Sequence, residues 1–138
     1  MIKARDGVKV PVSLIYKKGI SLKDAPLLQY GYGSYGAVIE PSFKLSFMPL
    51  IEQGFIFAIA HIRGGQDLGR NWYDQGRMMN KMNTFFDFID CSKELLKKDI
   101  GNKSKIFAMG GSAGGLLMGA IINLEPSLYK GLSLIHIS

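Results

Sequence analysis

The sequence predicts an α/β fold built on a doubly wound, mostly parallel sheet. Residues 55–60 and 106–109 are short, uninterrupted apolar runs, which are typical of strands buried on both faces of a parallel sheet. Residues 84–98 lie between them and carry apolar side chains at helical spacing. Because strands alternate with helices along the chain, we expect crossover helices rather than separate groups of strands and helices.

The N-terminal part of the chain adds two strands to this sheet. Residues 8–17 alternate well enough for a strand, and Pro11 places it at a sheet edge because proline has no amide hydrogen to donate. After a turn at 18–24, residues 26–30 form a second strand. That strand runs directly into the glycine-rich loop at 31–36.

The middle of the chain predicts helices and one long loop. Residues 45–53 are expected to form a helix that Gly54 ends, and residues 63–76 a polar loop. Thr84 is expected to cap the long helix that starts there. Asp87, three residues further on, would return the hydrogen bond or meet the helix dipole.

Composition describes an ordinary globular chain and excludes several classes of function. The 138 residues are 47% hydrophobic and 20% charged, with a formal net charge of +6. The basic residues are scattered and lack a groove-reading motif, so we expect solvated surface charge rather than nucleic-acid binding. No apolar run approaches the ~20 residues that span a bilayer, and no signal-peptide pattern is present. Cys91 is the only cysteine, which excludes an intrachain disulfide and a cysteine metal cluster and fits a reducing, cytosolic setting.

Residues 110–115, Gly-Gly-Ser-Ala-Gly-Gly, carry the strongest chemical signal in the chain. They follow the apolar run at 106–109 and precede helix-forming residues at 116–121, which gives the order strand, sharp turn, helix. With Ser112 at the apex, this is the G-x-S-x-G nucleophile elbow of the α/β-hydrolase fold. The turn requires small residues two positions to either side, and both are glycines. We therefore predict that Ser112 is a nucleophile, with a helix N-terminus where negative charge develops.

Two other patterns have simpler interpretations than catalysis or cofactor binding. His61 precedes the nucleophile, whereas the order in this fold is Ser, Asp, His, so we expect a structural histidine bonded to loop backbone. Arg63 is expected to organise its own loop. Gly31, Gly33 and Gly36 spell the dinucleotide fingerprint, but no clean helix start follows with an acidic residue ~20 positions on. We therefore expect no dinucleotide site.

Five segments occur in order: YGYGSYG at 30–36, HIRGG at 61–65, LGR at 68–70 with Trp72 and Tyr73, Asn80 and Lys81 with NTF at 83–85, and the elbow at 110–115. In this order and spacing they resemble the catalytic domain of the prolyl oligopeptidase family, over residues 5–131. Ala113 after the serine is typical of the oligopeptidase B branch, which cleaves short peptides after Arg or Lys. The sequence departs from the family at Gln66 and Asp67, where Gly-Glu is usual, and this change leaves the nucleophile untouched.

The resemblance implies a role for each matching residue. Ser112 would attack the scissile carbonyl, and the backbone N–H of Ala113 and the hydroxyl of Tyr32 would hold the oxyanion. Tyr35 would line the substrate cleft, and Glu40 would meet a basic substrate side chain. The resemblance also implies short peptide substrates, no metal or organic cofactor, and no nucleic-acid or membrane partner.

Several alternatives stay open. Without the resemblance, Tyr32 would be an amphipathic residue at a sheet edge, and Glu40 would be plain surface charge. Ser42 stands where some members have a second acidic residue, which leaves selectivity for paired basic residues open. Other functions are those of a related α/β-hydrolase, such as an acylaminoacyl-peptidase or esterase, or of a truncated product that acts by binding.

The base and the orienting carboxylate of a serine hydrolase are missing from the expected positions. The family places both well after the elbow, whereas no aspartate follows Ser112 and the one later histidine is His136. We therefore expect the N-terminal half of an α/β-hydrolase domain, inactive by itself, with an unpaired elbow strand. The family also carries a β-propeller over the active site, for which these residues supply no sequence.

Residues 132–138, Leu-Ser-Leu-Ile-His-Ile-Ser, depart from the family pattern that continues to residue 131. The heptapeptide can be back-translated onto the mosaic-end adaptor of transposon-based sequencing libraries. The expected organisation is therefore a partial α/β-hydrolase catalytic domain over 1–131 and a non-native tail over 132–138.

Overall fold

The computed structural model describes residues 1–31, 47–111 and 114–135. Its elements are β1 (Ile2–Lys3), β2 (Lys9–Val10), β3 (Val12–Ile15), β4 (Leu27–Tyr30), α1 (Met48–Glu52), β5 (Ile56–Ala60), α2 (Arg70–Asp74), α3 (Lys81–Lys97), β6 (Ile106–Gly111), α4 (Gly114–Leu124) and β7 (Gly131–Ile135). A short 3₁₀ turn at Met78–Asn80 precedes α3. The alternation of strands and helices from β4 onward confirms the predicted α/β class.

Five strands form one sheet in the order β3, β5, β4, β6, β7. β5, β4, β6 and β7 run parallel to one another, and β3 runs antiparallel to β5 at one edge. The predicted unpaired elbow strand is wrong, because β6 lies between β4 and β7. The carboxyl ends of four parallel strands therefore meet at one sheet edge, where ligands bind in open α/β sheets.

The N-terminal segment forms two short strands instead of the single strand predicted for 8–17. Pro11 separates β2, which pairs with β1, from β3, which pairs with β5. The Pro11 carbonyl accepts a hydrogen bond of 3.0 Å from the His61 amide, so the interruption leaves that acceptor satisfied. The predicted edge position is confirmed, since β3 has a described neighbour on one side only.

Most of the core lies between the sheet and the helices α3 and α4. Fully buried side chains from these strands and helices include Leu27, Phe88, Ile106, Leu117 and Ile121. The other face of the sheet carries a smaller apolar cluster, centred on Leu28, Phe57 and Ile59. Helix α1 packs against this second cluster, and the ring of Phe47 just before it stacks on Phe57 with centroids 4.4 Å apart.

The long helix begins earlier than the sequence predicts. α3 starts at Lys81, three residues before Thr84, so the predicted cap at Thr84 is wrong. The buried Thr84 hydroxyl instead lies 2.7 Å from the Arg63 carbonyl oxygen and 2.9 Å from that of Gly76. Asp87 does not serve the helix N-terminus either, because it accepts hydrogen bonds from Arg63. Both side chains fasten α3 to the loop after β5.

Two other predicted elements change at their boundaries. α1 runs from Met48 to Glu52, and Gly54 follows it with a φ of +92°, which ends the helix as predicted. The predicted start at residue 45 lies outside the described residues. The predicted loop at 63–76 contains α2, because Trp72 is buried in the core and a helical turn carries it there.

Across the described ranges, none of the helices combines the length and the apolar character that a membrane crossing demands.

Candidate active site

The predicted elbow coincides with the junction of β6 and α4. β6 ends at Gly111 and α4 begins at Gly114, which confirms the strand and the helix expected on either side of Ser112. Ser112 and Ala113 themselves lie outside the described residues, so their roles stay predictions. Because β6 has a parallel neighbour on each side, the turn leaves from the interior of the sheet's carboxyl edge.

The remaining predicted site residues also lie outside the described residues. Tyr32, Tyr35 and Glu40 belong to residues 32–46, and His136 belongs to residues 136–138. Their assigned roles therefore stay predictions as well. The structure does show where the segment that carries Tyr32 leaves the sheet, because β4 ends at Tyr30.

β4 and β6 bring the two halves of the predicted site to neighbouring positions. Tyr30 is paired in register with Met109, and the Gly31 amide donates a hydrogen bond of 3.3 Å to the Met109 carbonyl. Position 32 is two residues beyond this pair, and position 112 is three residues beyond it. Tyr32, the predicted oxyanion donor, and Ser112, the predicted nucleophile, thus follow adjacent strands. Both groups have to act on the same carbonyl group of the substrate, so their strands are expected to be neighbours.

Gly31 permits β4 to approach the helices closely at this edge. A β-carbon at position 31 would lie 2.7 Å from Cδ2 of Phe88 on α3 and 3.3 Å from Cδ2 of Leu117 on α4. Real side chains do not make contacts as short as the first, so any larger residue would push β4 away from α3. The sequence patterns placed Gly31 in a glycine-rich loop and in a family motif, and neither pattern predicted this packing requirement.

Arg63 follows β5 and joins three parts of the chain. Its Nη2 donates to Oδ1 of Asp87 at 2.6 Å, and its Nε donates to Oδ2 at 2.9 Å. Its Nη1 donates to Oδ2 of Asp6 at 2.7 Å, and its backbone amide donates to Oδ2 of Asp87 at 3.0 Å. Arg63 is 3% exposed, so the solvated position expected for the basic residues is wrong here. We call Arg63, Asp87 and Asp6 the arginine clamp.

The arginine clamp keeps its cation neutralised within the fold. Burial disfavours the charged form of Arg63, but the hydrogen bonds to Asp87 and Asp6 outweigh burial and hold its pKa above the ordinary value. The hydrogen bond from Arg63 also lowers the pKa of Asp6. Since its donors are taken up inside the chain, Arg63 organises its loop, as predicted, and also ties that loop to α3 and to the N-terminal turn.

His61 contacts two side chains rather than the loop backbone, so the predicted partners are wrong. Its Nδ1 lies 2.7 Å from Oδ2 of Asp67, and its Nε2 lies 2.9 Å from Oγ of Ser13. The Trp72 indole donates a hydrogen bond of 3.0 Å to the His61 carbonyl. Asp67 stands where the family usually has Glu, so a carboxylate is kept at this position, but nothing in the sequence predicted its contact with His61.

A buried polar chain connects β4 to α3. The Gln29 amide donates to the Phe88 carbonyl at 2.9 Å, and the Ser92 hydroxyl donates to the Gln29 side-chain oxygen at 2.6 Å. Tyr129 lies 2.8 Å from Ser92, and because Ser92 uses its own hydrogen on Gln29, the phenol is the donor. Burial of this phenol raises the pKa of Tyr129. A glutamine within the apolar strand predicted at 26–30 was the one sequence signal for this chain of bonds.

Two other features of the described residues do not form an alternative site. Cys91 is buried on α3, and burial raises the pKa of its thiol well above the ordinary value, which keeps it protonated and unreactive. An apolar groove of about 290 Å³ lies between Leu50, Phe55 and Phe107, and its apolar lining offers no acid or base. Residues 1–31, 47–111 and 114–135 contain no cluster of three or more His, Cys, Asp or Glu side chains suited to a metal ion.

Known proteins are similar to this chain in sequence and in fold over nearly its whole length. The profile of the prolyl oligopeptidase family matches residues 41–134. Dipeptidyl aminopeptidase BI of Pseudoxanthomonas mexicana is 53% identical over 129 residues, which cover 92% of this chain. Protease 2 of Moraxella lacunata is 47% identical over 127 residues, which cover 91% of it. Oligopeptidase B from Trypanosoma brucei, in a structure with covalently bound antipain, is 45% identical with a TM-score of 0.92 and covers 96% of this chain.

These similarities concern one part of much longer proteins. The chain spans 18% of the length of the two curated relatives and 19% of the oligopeptidase B chain. Within that part, the TM-score of 0.92 at 45% identity confirms the predicted α/β-hydrolase fold and the resemblance to oligopeptidase B. The family match covers well over half of the residues, so the chain belongs to the prolyl oligopeptidase family.

Proposed function

We propose that this chain is part of the catalytic domain of a serine peptidase that hydrolyses short peptides through an acyl-enzyme. The junction of β6 and α4 carries the proposal: β6, which pairs in parallel with β4, ends at Gly111, a helix begins at Gly114, and Ser112 stands between them. A serine at such a junction projects its hydroxyl above the sheet edge, where a peptide can reach it.

The proposed reaction uses Ser112, Ala113 and Tyr32. Oγ of Ser112 attacks the scissile carbonyl carbon, and the tetrahedral intermediate expels the amine and leaves an ester that water then hydrolyses. The amide of Ala113 and the hydroxyl of Tyr32 donate to the oxyanion, and one such donor is typically worth ~2.7–4 kcal/mol of barrier. The adjacency of β4 and β6 supports this assignment, because it starts both segments from neighbouring strands.

We propose cleavage after Arg or Lys. The 45% identity to oligopeptidase B supports this specificity, as does Glu40, whose carboxylate can pair with a basic substrate side chain. Tyr35 lines the cleft in this proposal. The relative's structure holds covalently bound antipain, and covalent attachment is what a nucleophilic residue provides.

Removal of dipeptides from a free N-terminus is the second candidate, because Dipeptidyl aminopeptidase BI is 53% identical to this chain. Two fluorogenic substrates separate the candidates on the full-length protein that contains these residues: an N-blocked arginyl amide and a dipeptidyl amide with a free amine. Cleavage of the blocked substrate supports cleavage after Arg. Cleavage restricted to the free-amine substrate supports the second candidate instead.

A variant pair tests the role of Glu40. Glu40→Gln should raise KM for the arginyl substrate with little change in kcat, because a carboxylate that pairs with the substrate contributes mainly to binding. Glu52→Gln is the matched control, since Glu52 is exposed at the end of α1 and its carboxylate pairs with Nζ of Lys17 at 3.1 Å. An unchanged KM in Glu40→Gln would remove Glu40 from the proposal.

We also propose that these 138 residues are inactive on their own. No aspartate follows Ser112, and His136 is the one histidine after it. A serine needs a base, and the base needs an orienting group. The full-length protein would supply both, together with a β-propeller, and would act in the cytosol. Turnover of either substrate by the isolated chain, lost in Ser112→Ala, would overturn this part of the proposal.

The boundary after residue 131 is proposed as well, with a partial catalytic domain over 1–131 and a non-native tail over 132–138. Residues 131–135 form β7 beside β6, and the family match runs to residue 134, so neither the fold nor the family match marks a boundary at residue 131. The test of the boundary is therefore the sequence of the transcript. A long read across the codon for Gly131 should continue in frame to an aspartate and then a histidine. A read that confirms 132–138 and a genuine stop would overturn the proposed boundary.

A further inference from the structure

Ser13, His61 and Asp67 form a Ser–His–Asp array that does not include the predicted nucleophile. Oγ of Ser13 lies 2.9 Å from Nε2 of His61, and Nδ1 of His61 lies 2.7 Å from Oδ2 of Asp67. A carboxylate can only accept, so it makes Nδ1 the donor and leaves Nε2 with the lone pair that accepts the serine proton. This is the hydrogen-bond pattern by which a neutral imidazole converts a serine into a nucleophile.

The sheet holds the three groups on separate pieces of backbone. Ser13 lies on the edge strand β3, His61 directly follows β5, and Asp67 lies in the loop before α2. β3 and β5 are fixed in register at Ser13 and Ile59, and the His61 amide donates to the Pro11 carbonyl just beyond. The contact between serine and imidazole thus spans two neighbouring strands, and its geometry does not depend on a flexible loop.

The serine of this array is more exposed than the histidine and the aspartate behind it. His61 is 7% exposed, and the Asp67 side chain is 9% exposed, so the base and its carboxylate are shielded from water. Ser13 is only partly buried. The serine is therefore the member of the array that a small electrophile meets first.

We propose that Ser13 is a second nucleophilic serine of this chain, with His61 as its base, and that it accepts phosphonyl or acyl groups from small activated electrophiles. With a fluorophosphonate, Oγ of Ser13 bonds to phosphorus, the P–F bond breaks, the hydroxyl proton passes to Nε2 of His61, and fluoride leaves. Asp67 stabilises the imidazolium that forms. The product is a phosphonylated Ser13 that peptide mass spectrometry can locate.

The test uses the full-length protein that contains these residues, with Ser112→Ala, so that no adduct can form at the predicted nucleophile. After treatment with a fluorophosphonate, we expect an adduct on Ser13, and His61→Gln should slow its formation by about 100-fold or more, the contribution typical of a general base. Ser104, which is exposed just before β6, measures the background reactivity of an ordinary serine in the same digest.

Two results would overturn the proposal. One is labelling of Ser13 no faster than that of Ser104 in protein whose circular dichroism shows the native fold. The other is equal labelling of Ser13 with and without His61→Gln. If His61→Gln does not fold, Asp67→Asn decides in its place: slower labelling supports the array, and an unchanged rate overturns it. None of these outcomes bears on Ser112, which is absent from the protein used.

Discussion

Arg63 and Asp87 form a bidentate ion pair inside the fold, with Nη2 to Oδ1 at 2.6 Å and Nε to Oδ2 at 2.9 Å. The pair joins the loop after β5 to the second turn of α3. Arg63 is 3% exposed and Asp87 is 0% exposed, so neither charge could be left alone without a large desolvation cost. The arginine clamp therefore fixes α3 against the sheet edge from which the candidate site is built.

Replacing Asp87 with alanine should lower the free energy of unfolding by about 3–5 kcal/mol, because it leaves the buried Arg63 cation without its main partner. Urea denaturation followed by circular dichroism measures the change. Asp74→Ala is the matched control, since Asp74 pairs with Arg70 and Arg77 at the surface and should cost at most about 1 kcal/mol. Similar losses in the two variants would contradict the clamp.

The clamp also predicts how stability depends on pH. The hydrogen bond from Arg63 lowers the pKa of Asp6 from its ordinary value of 3.8. Because the pKa of Asp6 is lowered in the folded state, the contact with Arg63 contributes fully to the unfolding free energy above pH 3.8. That contribution is lost as the pH falls through the folded-state pKa of Asp6. Between about pH 5 and pH 2, the unfolding free energy of the wild type should fall more steeply than that of Asp6→Asn. Identical slopes would show that the contact does not persist in solution.

Gly31→Ala should destabilise the chain by about 1–3 kcal/mol, since the added methyl group overpacks the contact with Phe88 on α3. In the full-length protein it should also lower kcat/KM, because Tyr32 is the next residue. Gly119→Ala on α4 is the control, where nothing lies within 4 Å of the added carbon. The better helix propensity of alanine should raise stability there by up to about 1 kcal/mol. A neutral effect of Gly31→Ala would mean that β4 and α3 are not so closely packed.

Ser92→Ala should cost about 1–3 kcal/mol of unfolding free energy, because it leaves the Gln29 oxygen and the Tyr129 phenol without their shared partner. Thermal and urea unfolding measure the loss. Ser104→Ala, at an exposed position, should stay within about 0.5 kcal/mol of the wild type. If both substitutions prove equally harmless, the buried chain of hydrogen bonds does not contribute to stability.

The sequence predicted the elements whose signal is local. The apolar run at 55–60 forms β5, and the run before the elbow forms β6. An uninterrupted apolar stretch is typical of a strand that is buried on both faces of a parallel sheet. The strand and helix around Ser112 follow from the glycines at the turn. The position of β3 at an edge follows from Pro11.

What the sequence could not predict depends on partners far along the chain. Thr84 and Asp87 have the spacing of a helix cap, yet they bind the loop at Arg63, which lies 21 and 24 residues away. The same residue types suit both uses, and only the tertiary fold decides between them. His61 meets Ser13 across 48 residues for the same reason. The pairing of β6 with β7 was missed because residues 132–138 were expected to be non-native.

Ser112 is proposed as the nucleophile of a peptidase, and the activity of Ser112→Ala in the full-length protein tests that role. Steady-state hydrolysis of the N-blocked arginyl amide should fall by about 10⁶-fold in kcat, the loss typical when a serine nucleophile is removed, with the fold intact by circular dichroism. Hydrolysis retained within about tenfold of the wild type would contradict this role, because the acyl-enzyme could then not form on Ser112.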